Sequence, residues 1–396
     1  TSSISLRHLR RLTTTTTVAT TTPPTTTTPS ISISSAKSKL RTEHDPDKAL
    51  QIYSSVSKHY SFPASSRYAQ DITVKRLAKS RRFADIESLI ESHKTDPKIT
   101  EEPYLSSLIR SYGRAGMFDH ALSTFHQMEQ LGTPRTVISF NALLSACVLS
   151  KLFDKVPDLF KEIPEKNNVM PDKVSYGILV KSYCESVSPD KAIEILKDME
   201  DGNVEVTAVT FTTIYYSLYK KGKIEDAERF WSEMVRKGCQ LDVAAYNVRI
   251  MNAQDGELDR IRELIDEMGA SGLKPDTISY NFLMASYCRR GMLEEAMKVY
   301  KGLEDNGLKP NACTFRTLIY YLCRNEEFDK GYKLYKESVR MHKILNFDTM
   351  KRLVEGLVKT KKIKLAKELS RTMKKKSSPG VLNLWKKLEV ELGLSS

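Results

Sequence analysis

The sequence predicts an all-α fold, an α-solenoid of helix-turn-helix repeats of about 35 residues, and three observations predict it. Phe140, Tyr176, Phe211, Tyr246, Tyr280 and Phe315 follow one another at 36, 35, 35, 34 and 35 residues. A fixed period in this range marks stacked copies of one small unit. A second marker keeps the same step: Ala192 and Ala227 are 35 residues apart, and Ala296, Gly331 and Ala366 continue at that interval. Inside each unit the apolar residues recur three or four apart, which is helical spacing.

The unit around Tyr280 shows how each part arises. Tyr280, Leu283, Met284, Tyr287 and Cys288 form one apolar stripe, Arg289-Arg290-Gly291 breaks it, and Leu293, Ala296, Val299 and Tyr300 start another. Gly291 permits the left-handed turn that lets an antiparallel helix begin. The run Asn306-Gly307-Leu308-Lys309-Pro310-Asn311 then closes the unit with turn chemistry. One such hairpin cannot bury its own apolar face, so neighbouring units must stack. With the aromatic at the fourth place, units fall at 102–136, 137–172, 173–207, 208–242, 243–276, 277–311 and 312–346. Weaker units are expected at 67–101 and 347–381, and Asp47 to Tyr53 reads as the second helix of a degraded earlier one. The solenoid is therefore placed at 43–381. Residues 382–396 are expected to form an amphipathic capping helix and tail that cover the last open apolar face.

A tetratricopeptide repeat of similar length expects Trp and Gly early in its first helix, where this chain has Phe or Tyr and aliphatics such as Ile109, Leu144 and Ile250. The residues resemble instead the pentatricopeptide repeat, nearly completely at Leu273 to Ala296, LKPDTISYNFLMASYCRRGMLEEA. The resemblance covers about residues 45 to 381 and is to the pure-repeat type, including short plant members associated with the mitochondrial ribosome. It implies a right-handed superhelix whose first helices line a groove that reads single-stranded RNA, one base per unit.

That resemblance carries over a reading pair for each unit: the residue after the aromatic and the last residue of the unit. The pairs are Ser106 with Thr136, Asn141 with Asp172, Gly177 with Thr207, Thr212 with Asp242, Asn247 with Asp276, Asn281 with Asn311, and Arg316 with Asn346. By the family's rules, Asn with Asp implies U, Thr with Asp implies G, and Asn with Asn implies a pyrimidine. Two residues before each aromatic, Ile138, Val174, Val209, Ala244, Ile278 and Cys313 would hold the bases between apolar surfaces. Gly177 has no side chain to read with, and Arg316 and Lys351 put cations at the reader place, so the code is expected to be partly lost. An Asn or Asp at these places also makes a good helix N-cap.

Residues 1–42 are rich in Thr and Ser, carry six Lys or Arg and contain no acidic residue. That composition is expected of a transit peptide removed on import. Ile4 to Leu12 as a short basic amphipathic helix points to the mitochondrial matrix, and the Thr-rich, Pro-broken remainder leaves a plastid address open. The formal charge of +13 is uneven: residues 340–376 carry a net +10 and residues 43–339 a net −3. Lys351, Arg352, Lys359, Lys361, Lys362, Lys364, Lys367, Arg371, Lys374, Lys375 and Lys376 are accordingly expected to contact phosphates of a folded RNA, including a duplex read by shape.

The six cysteines form no Cys-x-x-Cys pair and the seven histidines are scattered, so packing is expected rather than metal ligation, and no cofactor. No Gly-rich phosphate loop, serine elbow or zinc protease motif appears, and no nuclease or deaminase-like domain is expected after the repeats. No apolar run is long enough to cross a bilayer. The expectation is a non-catalytic RNA-binding protein with neither membrane nor small-molecule partner. Mitochondrial rRNA and small-subunit ribosomal proteins are the expected partners; a message-binding factor and a protein-only scaffold are the alternatives.

Overall fold

The computed structural model describes residues 31–57, 63–186, 189–253, 258–343 and 345–394. Their architecture is a run of antiparallel helical hairpins. The first four helices are α1 (Ile33–Thr42), α2 (Pro46–Ser57), α3 (Pro63–Lys79) and α4 (Phe83–His93). Next come α5 (Glu102–Arg114) with α6 (Phe118–His126), α7 (Val137–Leu149) with α8 (Val156–Asn167), and α9 (Lys173–Ser186) with α10 (Pro189–Asp201). The series continues with α11 (Ala208–Lys220) and α12 (Ile224–Arg236), α13 (Val243–Ala253) and α14 (Leu258–Ala270), and α15 (Thr277–Arg289) and α16 (Leu293–Asp305). It ends with α17 (Ala312–Arg324) and α18 (Phe328–Arg340), α19 (Phe347–Lys359) and α20 (Ile363–Lys376), and a final single helix α21 (Pro379–Glu391). From 102 to 346, every unit starts on the residue that the aromatic spacing predicted.

From α3 onward, each described turn within a hairpin uses one left-handed residue. Gly291 takes it at φ +76°, and Glu326 and Lys361 adopt the same conformation at +61° and +59° without glycine's freedom. Consecutive first helices, α3 through α19 by alternate numbers, touch one another along the chain. Second helices touch the first helices of their own and most following hairpins, but hardly one another. The closely spaced first helices therefore form the inner, concave layer, and the second helices the outer one.

The recurring small residue permits this packing. Ala121, Ala192, Ala227, Ala296 and Ala366 are fully buried, and a Cβ on Gly331 would meet Leu353 at 3.2 Å. Two closer approaches escaped the sequence reading. A Cβ on Gly113 would lie 2.3 Å from the Ala146 backbone, and one on Gly356 would lie 1.9 Å from the Phe328 ring. An aromatic cluster lies in the core, where the Phe211 ring centroid is 5.0 Å from that of Phe230 and 5.8 Å from that of Trp231, which is 5.1 Å from that of Tyr246. Burial pushes the Cys147 and Cys184 thiols up to about 11 and those of Cys288 and Cys323 up to about 12. These are packing thiols.

Both ends differ from expectation. Residues 33–42, placed within the leader, form α1 against α2 and α3, with Ala36 and Leu40 fully buried and Arg41 donating to the Tyr68 hydroxyl at 3.1 Å. The Ser/Thr-rich composition masked that apolar pair; the rest of the proposed leader, residues 1–30, lies outside the described residues. The helix α3 begins at Pro63, four residues before the expected start at 67, since proline suits the first helical turn. At the other end α21 starts at Pro379 rather than 382, for the same reason. Trp385, fully buried, meets Phe347 edge-on at 4.9 Å, so α21 covers the last hairpin.

Candidate nucleic-acid interface

Along the inner wall two residue types separate by helical geometry. Positions two residues apart are rotated about 200° on a helix and face opposite ways. The aromatics Phe140, Phe211, Tyr246 and Phe315 are thus buried between units, while Ile138, Val174, Val209 and Ile278 stand 45%, 52%, 69% and 47% exposed. Ala244 is also exposed and Cys313 half-buried. Large apolar side chains held in water at the same place in four units need an explanation beyond folding.

Beside that line the pairs come together. Asn141 donates through Nδ2 to Asp172 at 3.0 Å, Asn247 to Asp276 at 3.1 Å and Asn281 to Asn311 at 3.2 Å, and the Thr212 hydroxyl donates to Asp242 at 3.3 Å. A third residue, in the first turn of the following helix, completes three of these sites. Ser175, Ser279 and Thr314 donate their hydroxyls to the Oδ1 of Asn141, Asn247 and Asn281 at 2.6 to 2.7 Å. Asp276 and Asn311 cap α15 and α17 in full capping boxes with Ser279 and Thr314.

Capping therefore does not exhaust the hydrogen-bonding groups of these pairs. Each Asn uses one N–H and one lone pair within the protein and retains one of each, fixed in direction by its neighbours. Asn247 and Asn281 are only 7% exposed, so they are reached at the floor of the wall. Asp172 loses by burial, but hydrogen bonds from the Asn141 amide, the Ser175 N–H and hydroxyl, and the Val174 N–H hold its carboxyl below the usual range.

The other pairs do not form. Ser106 is fully buried and does not bond Thr136. Glu102, at the start of α5, takes the Thr136 N–H at 2.7 Å, the Thr136 hydroxyl at 2.8 Å and the Ser139 N–H at 3.0 Å. A carboxylate from another place in the unit fills that position, which the spacing could not reveal. Thr207 caps α11 through Thr210, and Gly177 leaves room beside Val174, Val209, Thr212 and Tyr216 in a cavity of about 760 Å³. Arg316 is exposed and turns to Cys313 Sγ at 3.4 Å, away from Asn346, which makes no side-chain cap.

The C-terminal cations divide. Arg352 lies on the inner helix with its guanidinium 5.3 Å from the Tyr320 ring centroid, and Lys351 pairs with Glu355 at 3.7 Å. Lys359 and Lys362 bind Glu326 and Asp329 of the preceding hairpin. These bridges extend a series that includes Lys223 with Asp190 at 2.7 Å and Lys330 with Glu294 at 2.9 Å. Lys374 is held by Glu389 of α21 at 2.6 Å. Lys364, Lys367, Arg371, Lys375 and Lys376 belong to α20, an outer helix, and Lys361 to the turn before it. The cluster expected to act as one grip thus spans two faces, because sequence proximity does not distinguish the two helices of a hairpin. Among the described residues no helix is long and apolar enough to cross a membrane, and no group of three His, Cys, Asp or Glu could hold a metal ion.

Known proteins carry the same pattern. The chain matches the PPR repeat family at 171–220 and 275–324, the pentatricopeptide repeat domain at 229–290, and the PPR repeat at 105–133, 138–168, 209–239 and 313–342. It is 62% identical to small ribosomal subunit protein mL103 (rPPR7) of Arabidopsis thaliana, over 100% of this chain and 96% of that protein. It is 56% identical to a mitochondrial pentatricopeptide repeat-containing protein of Arabidopsis thaliana, over 93% of this chain and 87% of the relative. The crystal structure of the maize pentatricopeptide repeat protein PPR10 aligns with a TM-score of 0.44 at 17% identity, over 91% of this chain and 59% of that one. With its units in register, four of its inner pairs formed and a relative matched along nearly its full length, this chain belongs to the pentatricopeptide repeat family.

Proposed function

We propose that the protein is a non-catalytic RNA-binding subunit of the mitochondrial ribosome that contacts rRNA and supports mitochondrial translation. The observation that carries the RNA reading is the inner wall, where exposed apolar side chains recur at Ile138, Val174, Val209 and Ile278 and an immobilised polar pair stands in each of four units. Single-stranded bases are recognised by a surface on which they are held and an edge donor or acceptor beside it. Preorganised side chains make that recognition cheap in conformational entropy. The ribosomal setting is supported by the full-length similarity to a protein named as a small ribosomal subunit component.

The action is passive. Three of the expected pairs are missing and residues 43–339 are net acidic, which suits a fixed position on one RNA better than a search along many. Sedimentation of the tagged protein from a mitochondrial lysate tests this reading. Co-migration with the small ribosomal subunit is expected, and a light particle that disappears with ribonuclease would replace it with a message-binding function.

A further inference from the structure

We propose that the outer face of the last two full hairpins is a docking surface for the backbone of double-stranded RNA, separate from the concave wall. This rests on the RNA-binding reading above and adds a second site to it. On α20, Lys364, Lys367, Arg371 and Lys375 follow one another at three or four residues, so they share one helix face. Ala366, Leu369, Ser370 and Met373 face the core, which turns that basic face outward. The neighbouring outer helix α18 repeats the arrangement with Lys333 and Lys336, both exposed. Lys336 reaches Glu368 of α20 at 3.8 Å, which shows that the two basic faces are adjacent.

The chemistry of this face selects its partner. Cations three or four residues apart stand about 5 Å apart along a helix, so several charges of a polyphosphate can be met at once. The outer face of α20 presents no aromatic ring, whereas single-strand sites use aromatic platforms for stacking. A duplex hides its bases and offers phosphates and 2′-hydroxyls. The inter-hairpin bridges elsewhere on the outer layer pair lysines with carboxylates, yet on α20 Glu368 is the one acidic residue of the helix. Cations are left over here because something else neutralises them.

The test compares the whole protein with Lys364→Glu/Arg371→Glu/Lys375→Glu and with Glu368→Gln, using a blunt RNA duplex of about 16 base pairs. The probes alongside it are the DNA duplex of the same sequence and a single-stranded RNA carrying the U-G-U-pyrimidine core. The triple variant is expected to lose at least about tenfold in duplex affinity and about three units of log–log salt slope, with single-strand binding unchanged. Glu368→Gln is expected to bind the duplex about twofold or more tightly by removing repulsion, a gain that misfolding would not produce. Equal binding of RNA and DNA duplexes, or no response to either variant, would overturn the proposal. So would release of the triple variant from ribosomes when the wild type does not bind purified duplex, which would assign the face to an acidic protein. Loss of single-strand binding by the wild type alone would fail the concave reading and leave this one standing.

Discussion

The unit at 277–311 and the unit at 312–346 share a helix start, an aromatic at the fourth place and a left-handed turn, yet their inner walls differ. In the first, Asn281, Asn311 and Thr314 form a closed hydrogen-bonded set. In the second, Arg316 points to Cys313, and Asn346 and Thr349 wait in the places of Asn311 and Thr314 without their partner. The scaffold depends on apolar packing and tolerates this exchange; the wall does not. Fold and recognition are thus carried by different faces of the same helix, and one can decay while the other persists.

The largest expected effect separates the cap from the repeats. Trp385→Ala removes a fully buried indole from the α21 contact with Phe347 and should cost about 3–5 kcal/mol. In a solenoid this loss stays local. Hydrogen exchange should open α19 to α21 while α7 to α15 keep their protection, and uniform opening would show that the chain is one cooperative unit. Next, Asn281→Ala removes the acceptor of the Thr314 hydroxyl and one of the donors to Asn311 Oδ1, both of which keep their bonds within the cap, for about 1 kcal/mol by denaturant melting. Arg316→Ala should cost under about 0.5 kcal/mol, as an exposed substitution.

A smaller effect tests the N-terminal hairpins. The ring of His93 bridges the Tyr53 hydroxyl at 2.9 Å and the Tyr104 hydroxyl at 3.2 Å, and burial, opposed by Asp96, lowers its pKa. The unfolded state then binds the proton more readily, so this contribution is full above the ordinary histidine value of about 6.5 and falls away below it. Thermal melts should show α1 to α4 weakening between about pH 6.5 and 5, and His93→Gln should flatten that dependence. Opposite in sign, Arg316→Asn should complete the set with Asn346 and Thr349, adding about 1 kcal/mol and one read position. Failure of both gains would mean that the two units differ in backbone as well as side chain.

Much of this was legible because the signals are periodic. The aromatic step located seven first helices to the residue, and the small residue in the second helix announced close packing before any geometry was available. Single events were not legible. Glu102 substitutes for Ser106 from four residues upstream, Gly113 presses on Ala146 only when two helices are placed side by side, and α1 has two buried residues in a Ser-rich stretch. The split of the basic cluster between α19 and α20 was hidden for a related reason. Charge counts along a chain do not record which of two antiparallel helices faces inward.

Photo-crosslinking of the protein to RNA in intact mitochondrial ribosomes, with the attached peptides identified by mass spectrometry, tests the central claim most directly. Crosslinks are expected on α7, α11, α13 and α15, near Asn141, Thr212, Asn247 and Asn281, with a second group on α18 and α20. Crosslinks confined to the outer helices, or an inner wall attached only to protein, would contradict the account.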